Sequence, residues 1–210
     1  MYAVVENNNI TQFINYPKSI VIGDVRYPAK IFTLWSKAEK EAVGIYEIET
    51  DSSNYKDANY YINTNEQYAF ANNKVTKSWG TATAKQLNDS FWTQQDSDDG
   101  LMPDDKSVGD VKVEGLKTIK KRIIKEQASN LLAKHDWQVV KATEVSDYSV
   151  PSAVTTYRAN VRTKSNQMET MINNCTTVDE LKALYEYTNT GTEQNPVFTR
   201  PPPEFPTEVI

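Results

Sequence analysis

The chain is short of the residues from which most catalytic and metal sites are built. Its 210 residues include one histidine, one cysteine and seven glycines. A single chain therefore cannot form a structural zinc site of cysteines and histidines, a catalytic zinc held by three histidines, or a disulfide. It also has no glycine-rich loop that could cradle a phosphate. From these absences we expect no catalytic residue, no metal site and no cofactor.

Positive charge and long apolar segments are also scarce. With 23 Lys and Arg against 28 Asp and Glu, the formal net charge is −5, which disfavours binding to a phosphate backbone. The basic segment 117–125 contains no aromatic side chain that could stack on bases, so we interpret its charges as the solvated face of a helix. No segment approaches the roughly 20 apolar residues that span a bilayer. The start does not resemble a secretory signal, and the lone Cys175 favours a reducing interior. We expect neither a nucleic-acid nor a membrane partner.

What is present predicts an α+β fold that begins with a β-rich module over residues 1–93. Residues 1–5 and 10–14 predict a hairpin around an asparagine turn. Further strands are predicted at residues 19–22, 25–27, 45–49, 59–62, 67–70 and 74–79. The last three are separated by turns of a few residues, which is typical of a meander. Short helices are predicted at residues 32–42, with Ser36 as cap, and at residues 83–92.

Residues 94–113 change in composition. They are rich in aspartate, contain Gly100 and Pro103, and have few apolar residues, so we interpret them as a flexible acidic linker. A calcium loop of the EF-hand type does not fit. Counted from Asp96, the glycine falls one position early and the twelfth residue is Ser107 instead of glutamate.

A helical module is predicted over residues 114–190. The apolar residues of its first part recur every three or four positions, and a second such stripe begins near Pro151, so we expect a helical hairpin. Thr177 to Glu180 has the pattern of a capping box and predicts a short third helix. Residues 191–210 form a proline-rich tail that we expect to be extended. Two stripes make a thin core, so we expect them to pack on each other, on a partner or on another copy.

Several side chains invite a chemical interpretation that the pattern does not support. His135 lies beside Asp136, but no nucleophile motif accompanies this pair, and a histidine near a helix C-terminus commonly makes a favourable dipole contact. The aromatic group Tyr60, Tyr61, Tyr68 and Phe70 has no polar constellation that would support sugar stacking. We expect aromatic residues outside the core to form protein-binding surface.

One set of motifs resembles a known family. Two leucines that end a helix are followed by Asp136-Trp137, then by Val150-Pro151, and then by Tyr157-Arg158 and Arg162. This set resembles the C-terminal segment of small bacteriophage tail and tail-fibre assembly proteins. The likeness covers residues 116–187 and is weaker over residues 1–90. It implies that Trp137 packs where the first long helix meets a loop, that Asp136 accepts backbone N–H groups or pairs with Arg158 or Arg162, and that Pro151 fixes the start of the second helix.

The resemblance implies a viral protein that is not an enzyme. The leading hypothesis is an assembly factor that binds a phage tail or tail-fibre protein, present in the virion or in the host cytoplasm during assembly. The alternative is a structural virion subunit of the tail, baseplate or fibre attachment that oligomerises through its helices. Either role implies a homo-oligomer or a hetero-complex. The six residues Asp136, Trp137, Pro151, Tyr157, Arg158 and Arg162 are the candidates for holding the fold or for interaction.

Overall fold

The structure is a computed structural model that describes residues 1–208. It divides into two compact units, residues 1–84 and the part of the chain from residue 85 onward. Strands dominate the first unit and long helices the second, so the predicted α+β class is confirmed. The boundary between the two units lies after residue 84 instead of residue 93, because the next strand along the chain, at residues 90–91, pairs within the second unit.

The first unit is built on a five-stranded sheet. The strands of the whole unit are β1 (Tyr2–Glu6), β2 (Asn9–Ile14), β3 (Ile20–Ile22), β4 (Val25–Tyr27), β5 (Ile45–Thr50), β6 (Tyr61–Ile62), β7 (Gln67–Ala71), β8 (Lys74–Ser78) and β9 (Thr83–Ala84). The sheet order is β2-β1-β5-β8-β7, and all its pairs are antiparallel except β5–β8. The hairpins β1–β2 and β7–β8 confirm the predicted ones. The predicted meander is wrong in its first strand, because β6 pairs with β9 and not with β7.

Each face of this sheet carries its own apolar core, since successive side chains of a strand point to opposite faces. Val4 of β1 belongs to a cluster with Ile14 and Ile45, whereas its neighbours Ala3 and Val5 pack on the other side with Val75. The first cluster also contains Ile31 and Phe32 of helix α1 (Ile31–Leu34). The sheet curls so far that the rings of Phe13 in β2 and Tyr68 in β7, on its two edge strands, lie 4.6 Å apart.

The single helix predicted over residues 32–42 is two short ones. Trp35 has an extended backbone and ends α1, after which Ser36 caps α2 (Lys37–Glu41). The hydroxyl of Ser36 accepts from the Glu39 N–H, and the Glu39 carboxylate accepts from the Ser36 N–H. The hydrogen bonds that the Ser36 N–H and the Ser36 hydroxyl donate to the carboxylate lower the pKa of Glu39. The sequence therefore identified the cap correctly and missed the break before it.

Among the glycines of the first unit, Gly44 leaves the least space for a side chain. It has φ +83°, and a Cβ built there would lie 2.6 Å from the carbonyl oxygen of Val5. We expect Gly44→Ala to lower the free energy of unfolding of this unit by about 2 kcal/mol or more, because left-handed strain and the close contact add. Gly23→Ala is the matched control, with φ +59° and no atom within 4 Å, and is expected to cost about 1 kcal/mol. Urea unfolding followed through NMR signals of the unit measures both. Equal losses would contradict the role of the Val5 contact.

The acidic segment is folded, which corrects the prediction of a flexible linker. Strands β10 (Ser90–Phe91) and β11 (Val111–Val113) pair across it, and helix α3 (Gln94–Asp98) lies between them. The Asp96 carboxylate accepts hydrogen bonds from Lys112 and from the N–H and hydroxyl of Thr93, and these bonds lower the pKa of Asp96 to about 2. The helix predicted over residues 83–92 is wrong, because this stretch contains β9 and β10, whose partners lie 20 to 23 residues away.

The helices of the second unit are α4 (Leu116–Ala133), α5 (Asp136–Glu144), α6 (Ser152–Asn174) and α7 (Val178–Ala183), followed by strands β12 (Thr188–Asn189) and β13 (Phe198–Thr199). α4 and α6 form the predicted antiparallel hairpin. At one end Lys117 donates to the carbonyl of Asn173, and at the other Arg158 donates to that of Leu132. The capping box between Thr177 and Glu180 is confirmed at the start of α7. α5 was not predicted.

The N-terminus of α4 is capped by a side chain from an earlier segment. α4 begins after Gly115, which has no side chain to serve as a cap. Instead the Asp89 carboxylate accepts from the Gly115 N–H at 2.7 Å and from the Thr118 hydroxyl at 2.8 Å. A carboxylate is favoured there by the orphan N–H groups and by the helix dipole. This contact ties the residues before β10 to the helical part of the second unit.

Candidate functional site

Arg158 ties α6 to the far end of α4 and to the start of α5. Its side chain is 11 % exposed. One guanidinium nitrogen donates to the Leu132 carbonyl oxygen at 2.6 Å, and the other lies 2.7 Å from the Asp136 carboxylate. The Leu132 carbonyl also accepts from the His135 N–H at 3.1 Å, so the guanidinium adds a charged donor to a carbonyl of the last turn of α4. The structure thus contains the Asp136–Arg158 pair that the family resemblance implied.

Arg162 lies one turn further along α6 and is exposed. Its guanidinium is 3.4 Å from the Arg158 carbonyl oxygen. With Asp136, Arg158 and Lys125 it lines an open groove of about 470 Å³ between α4 and α6. Lys125 is itself 3.4 Å from the Glu169 carboxylate. Three of the six predicted residues therefore share one polar groove, in which nearly every charge has a partner of opposite sign.

Tyr157 and Pro151 serve the fold of α6. Tyr157 is 2 % exposed and forms an apolar cluster with Ala128 and Val161. Pro151 was predicted to start the helix from within its first turn, and it stands one residue earlier. Its carbonyl accepts the first helical hydrogen bond, from the Thr155 N–H at 3.0 Å. Proline suits this position because it fixes φ and needs no N–H partner.

Trp137 does not pack as predicted. It belongs to α5 instead of a loop, and it is 57 % exposed. Val140, one turn further along, is 51 % exposed, and no residue of α5 is buried. Gln138 and Ala142 are the half-buried side chains of the helix and mark its inner side. Trp137 and Val140, three residues apart, therefore form an outward stripe that we name the α5 face.

A buried polar cluster that the sequence did not predict lies at the junction of α4 and α5. His135 is 8 % exposed, and its ring meets that of Tyr157 edge-on at 5.4 Å. Within residues 1–208, the His135 Nε2, the Gln138 Oε1 and the Tyr157 hydroxyl have no hydrogen-bond partner. The Glu208 carboxylate is 3.9 Å from the His135 Nε2, beyond hydrogen-bond reach. No local signal could have revealed this cluster, because Tyr157 belongs to a different helix and Glu208 to the tail.

The proline-rich tail docks on the chain's own helices. Pro202 is buried, and Phe205 packs on the cluster of Tyr157, Ala128 and Val161. The Glu208 carboxylate pairs with Lys134 at 2.5 Å, and this hydrogen bond raises the pKa of Lys134. Residues 203–208 lie outside helices and strands, and residues 198–199 form β13, which pairs with β12. The apolar stripes of α4 and α6 are largely covered by each other and by the tail, which weakens the expectation that they require a second chain.

Two further findings concern residues 1–208. No three or more His, Cys, Asp or Glu side chains in this part of the chain are grouped so that they could hold a metal ion. No helix of residues 1–208 combines the length and apolar character needed to cross a bilayer. The carboxylates with a lowered pKa, such as Glu39, Asp96 and Glu180, are explained by caps and ion pairs.

Comparison of the chain with protein-family models, with curated proteins and with solved structures finds no match. The two surface features described above are the α5 face and the tail that is docked on the α4–α6 hairpin.

Proposed function

We propose that the chain is a non-enzymatic bacteriophage tail or tail-fibre assembly protein that binds another phage tail protein through the α5 face. The observation that carries the proposal is the exposure of Trp137 on a helix that buries none of its residues. An exposed tryptophan on a helix is costly to leave in water, and tryptophan is among the commonest anchors of protein interfaces. The phage assignment comes from the Asp136-Trp137, Val150-Pro151 and Tyr157-Arg158 motifs.

The geometry around Trp137 supports a rigid binding surface. Asp136, the residue before it, is held by Arg158, so the N-terminus of α5 is fixed to α6. Towards the other end, Lys141 lies over the ring of Tyr148, in the segment that follows α5, at 4.5 Å. The contact with α6 orders the start of the helix, and an ordered surface loses less conformational entropy on binding.

Trp137→Ser is expected to abolish most of the association with the partner while the fold is kept, because the side chain is largely exposed in the isolated chain. The loss should be about 2 kcal/mol or more, roughly a 30-fold weaker Kd, as for a central interface anchor. The measurement is calorimetric titration with the tail-fibre protein encoded beside this chain, after co-expression identifies a complex. Leu34→Ser, which removes a 74 % exposed leucine from the first unit, is the control and should bind as the wild type does. Equal binding by all three proteins would refute the role of the α5 face.

The alternative is a structural virion subunit, which would remain in the finished particle. Mass spectrometry of purified particles distinguishes the two roles, because an assembly factor leaves the particle and a subunit stays in stoichiometric amounts. Since the α4 and α6 stripes are largely covered within one chain, we expect a subunit to associate through the α5 face as well.

A further inference from the structure

The tail exposes every third residue. Pro201, Glu204 and Thr207 are exposed, whereas Pro202 is buried, Pro203, Phe205 and Pro206 are half-buried, and Glu208 at its end is exposed but pairs with Lys134. Three residues is the period of the polyproline II conformation, which places such side chains on one face. The prolines at positions 201, 202, 203 and 206 restrict φ to the value that this conformation needs.

The direction of the tail follows from its partners on α4. Pro202 lies beside Ile124, and Glu208 pairs with Lys134. Ten residues of helix advance about 15 Å, and six residues of polyproline II advance about 19 Å. The two lengths agree, so the tail runs beside α4 in the same direction as an extended segment. We name the surface beneath it the tail groove: Ile124, Met168 and Ile172 under Pro202, the cluster under Phe205, and Lys134 with His135 at Glu208.

The tail fills this groove incompletely. A cavity of about 70 Å³ remains beside Pro202, between Ile124, Met168 and Ile172. At the other end, the Nε2 of His135 is buried without a hydrogen-bond partner within residues 1–208, 3.9 Å from the Glu208 carboxylate. Voids and buried polar atoms without partners both reduce binding. A segment with a larger aliphatic side chain at the first anchor and a closer acid at the third would fit better than the tail does.

We propose that the tail groove is a docking site for an extended segment of a partner protein, and that the chain's own tail occupies this site until the partner displaces it. The segment has proline or a large aliphatic residue, then an aromatic residue and then an acid at three-residue spacing. The inference rests on the proposed function in one respect, that the partner is a protein. The tether of residues 184–199 keeps the tail near its groove at an effective concentration in the millimolar range, so weakly fitting segments are excluded.

The test uses the full-length chain and a fluorescein-labelled peptide with the sequence of residues 199–208. Phe205→Ala loosens the tail in place, and this variant should bind the peptide at least about tenfold more tightly than the wild type does, as measured by fluorescence anisotropy. Phe198→Ala is the matched control, because Phe198 is 62 % exposed in β13, and it should bind the peptide as the wild type does. Circular dichroism checks that each variant is folded.

A charge reversal locates the binding. Lys134 is exposed at the rim of the groove, so Lys134→Glu combined with Phe205→Ala should fold and bind the peptide about tenfold more weakly than Phe205→Ala alone. A peptide carrying Glu208→Lys should restore the affinity of this double variant. The proposal is overturned if Phe205→Ala binds the peptide no better than the wild type, or if the reversed pair gives no recovery. Either failure leaves the Trp137 measurement untouched, since that measurement uses a different surface and a different ligand.

Discussion

Tyr157→Ala is expected to lower the free energy of unfolding of the second unit by about 3–5 kcal/mol, the usual cost of removing a large buried aromatic side chain. The Tyr157 ring is 2 % exposed, joins Ala128 and Val161 in one cluster, and meets the ring of His135 edge-on. Phe205 of the tail packs on the same cluster. The substitution therefore weakens the hairpin and the docking of the tail together.

Tyr157→Phe is the informative control for this substitution. The Tyr157 hydroxyl is buried and has no hydrogen-bond partner within residues 1–208. Its removal therefore breaks no hydrogen bond, and the free-energy cost of burying a polar group is no longer paid on folding. We expect stability equal to the wild type or higher by up to about 1 kcal/mol. Urea unfolding followed through NMR signals of α4 and α6 measures both variants. A loss after Tyr157→Phe as large as that after Tyr157→Ala would mean that the hydroxyl, and not the ring, stabilises the hairpin.

Arg158→Met is expected to lower the stability of the second unit by about 2–3 kcal/mol. The guanidinium is mostly buried and holds both the Leu132 carbonyl and the Asp136 carboxylate, and hydrogen bonds to charged groups are worth about 1.5–3 kcal/mol. Asp136→Asn should cost less than about 1 kcal/mol, because Asp136 is 58 % exposed and exposed ion pairs contribute little.

The exposed Arg162 supplies the control. Arg162→Met changes the same residue type one turn further along α6, and we expect a change within about 0.5 kcal/mol. A double-mutant cycle of Arg158→Met and Asp136→Asn, measured by urea unfolding, isolates the coupling of the pair. If Arg158→Met and Arg162→Met cost the same, the link from α6 to the end of α4 contributes nothing to the hairpin.

Patterns that depend on neighbours in the chain could be predicted from the sequence. The capping box at Thr177 and the cap at Ser36 join residues three positions apart, and the β1–β2 hairpin joins strands separated by a tight turn. The α4–α6 hairpin followed from the three- and four-residue period of its apolar residues. In each case the residues that specify the element lie within it or directly beside it.

Features that depend on distant partners could not be predicted. Residues 83–84 and 90–91 are strands because their partners are Tyr61, Ile62 and the strand at Val111 to Val113. The pairing of β10 with β11 orders the acidic segment, and the composition of that segment does not reveal the pairing. For the site, the Asp136–Arg158 pair is one of the alternatives that the family resemblance implied for Asp136. The exposure of Trp137 and the anchoring of the tail depend on packing geometry that no spacing encodes.

The order of strands in the first unit has a consequence for its folding during synthesis. β1 lies between β2 and β5, and Val4 is paired with Ile45. At about 5–20 residues per second, the ribosome needs roughly 2–8 s to add the 41 residues that separate them. During this interval the second edge of β1 has no partner strand, and such edges are sites of aggregation. The nascent N-terminal hairpin is therefore the part of this chain most exposed to misassembly, and its protection depends on the time until β5 is made.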